Sequence, residues 1–263
     1  MIIGSDMKRV CGGRISVGIM FLLLAVFAGE VRAAEDLQAN PVPAIGQNAK
    51  DQTYFDAAKR GPRVLFIGNS ITLHGPRPQI GWTNNWGMAA TARDKDYVHL
   101  LQKKIAAEYP EAQCCLLQVA GSFERAFFKG DWSCERNFKW ARDFKPDVIV
   151  MFFGANVPHE YDDGKMQPAR SYGEALAEFR KYLDPEQKAV AIISQGFYIR
   201  PKLDAEKESV VKQCARDVFV HLEDIRERKD AHGLYNHPGD LGMELIAERF
   251  WQFVEPALKG VKH

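Results

Sequence analysis

The fold class this 263-residue sequence predicts is a three-layer α/β/α sandwich around a mostly parallel five-stranded sheet. Three observations carry that expectation. From Arg63 onward, short apolar runs alternate with stretches of helical periodicity. The runs are apolar at every position rather than at every second one, as strands buried on both faces require. The composition is that of an ordinary globular chain, 46% hydrophobic and 26% charged, with ample length for one α/β core. Strands that alternate with helices pair in parallel through right-handed crossovers.

The elements follow in order. Residues 1–33 read as a secretory signal peptide: Lys8, Arg9 and Arg14 open it, Ile15 to Ala28 form an apolar stretch too short to span a bilayer, and Val31-Arg32-Ala33 supplies the small residues for cleavage. Residues 34–61, with Pro41, Pro43 and Gly46, form a polar leader. Residues 62–257 make up the folded domain and 258–263 a tail. Strands are expected at Val64–Ile67, Cys115–Val119, Val148–Phe153, Ala189–Ser194 and Val218–Leu222. Between them, Tyr97, Leu101 and Ile105 mark one helix, and Tyr172, Leu176, Phe179 and Leu183 a second. Val211, Cys214, Ala215 and Val218 suggest a third. The clearest stripe is Met243, Ile246, Ala247, Phe250, Trp251 and Val254, at spacings i, i+3, i+4, i+7, i+8 and i+11.

Charge and cysteine usage bound the function. With 35 Lys+Arg against 34 Asp+Glu the formal net charge is +1, which provides no single-sign field for a nucleic-acid backbone. Cleavage after Ala33 removes four basic and two acidic residues and leaves 31 basic and 32 acidic ones, formally −1. The mature chain is expected to be secreted or periplasmic, with no stable membrane insertion. Export permits disulfides among Cys114, Cys115, Cys134 and Cys214. Neighbouring Cys114 and Cys115 should point to opposite sheet faces, and one bond from Cys134 to that strand is expected. No C-x-x-C or His/Cys spacing suggests zinc, and no cofactor or metal is called for.

In an open parallel sheet, function gathers beyond the carboxyl ends of the strands. The loops there read Gly68-Asn69-Ser70-Ile71-Thr72, Ala120-Gly121-Ser122, Gly154-Ala155-Asn156 and Gln195-Gly196-Phe197-Tyr198, and Asn236-His237-Pro238-Gly239-Asp240 precedes the last helix. A serine, a glycine backbone, an asparagine amide and a histidine arrive at one edge. Acyl transfer needs those parts: a hydroxyl to attack, an imidazole to take its proton, and N–H donors for the oxyanion.

Residues 62–257 resemble the SGNH (GDSL-like) hydrolases. Phe66-Ile67-Gly68-Asn69-Ser70-Ile71-Thr72 is similar to that family's first block, with Asn69 where Asp is usual. Gly121 is similar to the second block, Gly154-Ala155-Asn156 to the third, and His237-Pro238 with Gly242 to the fifth. The resemblance implies Ser70 as nucleophile, His237 as general base, and an oxyanion hole from the Ser70 and Gly121 N–H groups and the Asn156 side chain. It implies a serine ester hydrolase, most simply a carbohydrate deacetylase whose substrate is an acylated carbohydrate or another small ester.

One departure stands out. The family usually carries Asp three residues before the histidine, and here that position is Leu234. A dyad oriented by a backbone carbonyl, or a carboxylate from Asp230, Glu160 or Asp240, would replace it. Leu234 also leaves open a non-catalytic glycan-binding domain, and a lipase or thioesterase is the other alternative. Trp82 and Trp86, in the loop Ile80 to Met88 with Gly, Asn and Thr, are expected as substrate-binding rings for a sugar face. Their competing role is to plug the domain edge. The acyl group, the glycan and the oligomeric state are not written in the sequence.

Overall fold

The computed structural model describes residues 61–261. The expected signal peptide, nearly all of the leader and the last two residues of the tail lie outside the described residues. Five strands form one sheet: β1 (Arg63–Gly68), β2 (Gln113–Gln118), β3 (Val148–Phe152), β4 (Val190–Ser194) and β5 (Val218–Val220). Every pairing is parallel, and the order is β2-β1-β3-β4-β5. The order reverses between β1 and β3, so the loops that follow these two strands flank the crevice where such sheets bind ligands.

The strands divide their side chains by strict alternation. Val64, Phe66, Val150, Phe152 and Ile192 face one layer, and Leu65, Ile67, Ile149, Met151 and Ile193 the other. The first layer holds α1 (Tyr97–Glu108) and α5 (Asp240–Lys259). The second holds α2 (Cys134–Asp143), α3 (Tyr172–Leu183) and α4 (Pro201–Val211). Each helix start has a local cause. Asp96 accepts the His99 N–H at 2.8 Å before α1, Ser171 and Glu174 form a capping box before α3, and Pro201 opens α4. The α5 stripe is buried as expected, except that Trp251 is only half-buried.

Val211, Cys214, Ala215 and Val218 do not share a helix: α4 ends at Val211, a turn carries Cys214 and Ala215, and Val218 begins β5. The helix α2 was not foreseen; only Cys134, Phe138 and Ala141 of its ten residues are buried, and Phe138 has non-helical dihedrals. The final helix runs to Lys259, past the expected boundary at 257. Cys114 and Cys115 do take opposite faces, and Cys115 lies in the layer that holds Cys134. Among the described residues, however, no disulfide forms. Cys134 remains a thiol beside Glu178, and burial, with the Glu178 carboxylate, pushes it up to about 12.

Candidate active site

The loop after β1 turns sharply over Gly68. A Cβ there would lie 1.6 Å from Thr72 Oγ1, so only glycine lets the chain fold back. The turn is closed by Thr72 and Leu73 N–H groups on the Asn69 carbonyl, at 3.0 and 2.9 Å. Ser70 sits at its apex, partly exposed, with its carbonyl held by the Met88 N–H at 2.8 Å. His237 arrives from the loop before α5. Gly233 and Gly239 let the two arms of that loop approach, because a Cβ on Gly233 would meet the Gly239 Cα at 2.8 Å. Between the arms, Tyr235 and Asn236 adopt left-handed backbone at φ 58° and 57°. A tyrosine in that region is strained, and such strain gathers at functional sites.

These two loops bring Ser70 Oγ to 2.8 Å from His237 Nε2. The other ring nitrogen, Nδ1, lies 3.0 Å from the Tyr235 carbonyl and 2.9 Å from the Tyr198 hydroxyl. A carbonyl only accepts, so Nδ1 carries the proton and Nε2 accepts from Ser70. Burial holds the imidazole below its usual value; the Tyr235 carbonyl raises it and nearby His74 lowers it further. The ring is thus neutral near pH 7 and ready to take a proton.

The candidates for a third member lie elsewhere. Asp230 pairs with Arg228, Asp240 bonds Lys95 and Thr91, and Glu160 stands exposed in a single turn of helix. Leu234 is 65% exposed. The orienting partners of His237 are a backbone carbonyl and Tyr198, which arrives from the end of β4. Tyr198 was named in its loop by sequence but given no role, because its partner lies 39 residues away.

The loops after β2 and β3 supply the remaining groups. Gly121 is the second residue of a widened π-type turn, Ala120–Glu124, with free space around its Cα. Glu124, fully buried at the end of that turn, accepts from Asn69 Nδ2 at 3.1 Å and from Asn156 Nδ2 at 2.7 Å. Asn69 and Asn156, from the β1 and β3 loops, therefore meet on one carboxylate. Gly154, at φ 127°, gives Glu124 its N–H as well, and a Cβ on it would crowd Lys207 Nζ at 3.2 Å. Burial pulls the Lys207 ammonium down to about 8, against the opposing pull of Asp204 and Glu124.

The expected sugar platform is overturned. Trp82 and Trp86 are 3% and 6% exposed, packed edge to face at 5.9 Å. Their N–H groups go to the backbone carbonyls of His74 and Ala90. Satisfied and covered, the two rings close the domain edge and present no face to a ligand. Among the described residues, the exposed large apolar side chains are Ile199, Leu234 and Tyr235, which flank Tyr198 and His237 in sequence.

Among the described residues no helix is long and apolar enough to cross a membrane. No protein-family model and no curated protein sequence matches the chain. Solved structures do. A family two carbohydrate esterase from Clostridium thermocellum, in complex with cellohexaose, matches 76% of this chain at 16% identity and a TM-score of 0.51. A carbohydrate esterase whose active site displays divergent catalytic and non-catalytic binding functions matches 75% at 17% identity and a TM-score of 0.49. An acetyl xylan esterase matches 73% at 17% identity, with a TM-score of 0.48 and 99% of its own length covered. The chain spans less than two thirds of the length of the first two, 65% and 66%. At these identities the likeness is one of architecture: the chain has the α/β fold of the family two carbohydrate esterase.

Proposed function

We propose that this chain is an exported serine esterase that removes O-acyl groups, acetyl foremost, from a carbohydrate. The observation that carries the reading is Ser70 Oγ at 2.8 Å from His237 Nε2, with the opposite ring nitrogen on a backbone carbonyl. Ser70 Oγ attacks the acyl carbon while its proton passes to His237 Nε2. The oxyanion is met by the Ser70 and Gly121 N–H groups and the Asn156 amide. The imidazolium then gives its proton to the departing sugar oxygen. Water, activated by the same imidazole, releases the acid from Ser70 and restores the enzyme. The Tyr235 carbonyl and the Tyr198 oxygen stabilise the imidazolium in place of the family's Asp.

A carbohydrate is supported by two things. The fold is shared with an esterase that binds cellohexaose, and Tyr235, 41% exposed, offers a ring beside His237. One observation favours a longer acyl chain instead: Ile199 and Leu234 are 64% and 65% exposed at the same rim. The test compares p-nitrophenyl acetate with the octanoate and measures acetate released from acetylated xylo- and manno-oligosaccharides. The reading predicts faster acetate hydrolysis, release from at least one glycan, and loss of both in Ser70→Ala. Faster octanoate hydrolysis with no glycan deacetylated would establish the lipase reading.

A further inference from the structure

We propose that Glu124 is the positioning residue of the acyl-oxygen site, and that position 69 is an amide rather than the family's usual acid because Glu124 already holds the charge there. The inference rests on the esterase reading only for its kinetic consequences. Glu124 is 0% exposed, yet four N–H groups converge on it. Asn69 Nδ2 lies at 3.1 Å, Asn156 Nδ2 at 2.7 Å and the Asn156 backbone N–H at 3.3 Å; the Gly154 N–H completes the set. These donors come from the loops after β1 and β3, on either side of the crevice. A buried group that meets only donors has to accept at both oxygens, which is what a carboxylate does.

The consequence for Asn156 is specific. Arg125 donates to its Oδ1 while Glu124 accepts from its Nδ2. Both ends of the amide are thereby assigned, and flipping it would set donor against donor and acceptor against acceptor. One Nδ2 hydrogen is taken by Glu124, and the second is left to point at an acyl oxygen. An oxyanion donor acts through being fixed before charge develops, and here the fixing group is Glu124.

The position of Asn69 follows from the same geometry. Its Oδ1 accepts the Ile71 N–H at 3.1 Å, which leaves Nδ2 toward Glu124. An aspartate at 69 would put a second carboxylate about that distance from Glu124, away from water, where like charges repel strongly. Glu124 in turn raises the pKa of the buried Lys207 from α4 and Tyr172 from α3. Neither has a hydrogen-bond partner for its buried polar atom, so neither anchors the carboxylate.

The experiment measures kcat and KM on p-nitrophenyl acetate for Glu124→Gln, Asn156→Ala, the double variant and Asn69→Asp. A second readout is the NMR signal of the Asn156 side-chain amide. In Glu124→Gln one accepting oxygen becomes a donor, so kcat should fall roughly 10- to 100-fold with KM within about threefold. In the Asn156→Ala background the same change should cost less than about threefold, because Glu124 acts largely through Asn156. Asn69→Asp should lower kcat at least tenfold, although it installs the family's usual residue. The Asn156 amide should show one slowly exchanging, downfield N–H that is lost in Glu124→Gln. Parental kcat in Glu124→Gln, multiplicative losses in the double variant, or a faster Asn69→Asp enzyme would each overturn the proposal. If Glu124→Gln does not fold, Asn69→Asp decides; collapse of both assigns Glu124 to folding alone and overturns it. If the parent hydrolyses no ester, the esterase reading fails by itself, and the amide signal still tests the placement.

Discussion

Replacing Tyr198 with Phe probes how His237 is held. The substitution keeps the ring, which packs edge to face against the imidazole at 5.9 Å, and removes only the hydroxyl 2.9 Å from Nδ1. The Tyr235 carbonyl at 3.0 Å remains. Loss of one hydrogen bond of ordinary strength costs about 0.5–1.5 kcal/mol, so kcat/KM should fall roughly 2- to 12-fold rather than collapse. Because the lost oxygen stabilises the charged ring, the acid limb of the pH profile should move down, by roughly 0.4 to 1 pH. The assay is p-nitrophenyl acetate hydrolysis from pH 4.5 to 8, run beside Leu234→Asp, Asp230→Asn, Glu160→Gln and Asp240→Asn. Leu234→Asp should bring no gain, since its side chain points to solvent and Nδ1 is already engaged. A thousandfold loss in any one amide variant, or a tenfold gain in Leu234→Asp, would refute the carbonyl-oriented dyad.

Asn156→Ala should lower kcat roughly 100- to 1000-fold with little change in KM, as for one lost oxyanion donor. The parent profile of kcat/KM should show an acid limb below 6.5, because burial depresses His237 from that value. Between the depressed value and 6.5 the unfolded chain binds the proton, so stability should fall as pH drops through that window, measurable by denaturant titration. Trp82→Ala should remove about 3–5 kcal/mol of stability and lower Tm on the order of 10 °C, with hydrolysis of small acetates retained below the transition. Mass spectrometry of the exported protein should find Ala34 first; retention of residues 15–28 would show a membrane anchor instead.

The fold was legible because burial on both faces writes itself into continuous runs such as Val148–Phe152, each of whose residues is buried. Ser70 and His237 could be singled out as candidates because tight turns with Gly68 and Gly239 leave a local trace around them. What could not be read was anything whose meaning lies in a distant partner. Glu124 is a charged residue in an aromatic stretch with Phe123, Phe127 and Phe128, and its partners lie 30 to 55 residues away in sequence. The aromatic run around it was the one signal of burial. Trp82 and Trp86 misled for the opposite reason: Gly, Asn and Thr around them resemble an exposed loop, while their N–H groups find carbonyls inside the domain. The helix α2 was hidden by its polar majority and by the non-helical Phe138 in its middle.

The most direct test of the central claim is covalent trapping. Incubated with an active-ester organophosphonate, the protein should form one adduct, which peptide mass spectrometry places on Ser70. Labelling should vanish in Ser70→Ala and slow by orders of magnitude in His237→Ala, since the thing being measured is Ser70 activated by His237. An adduct on another residue, or Ser70 labelling at the parental rate without His237, would contradict the account.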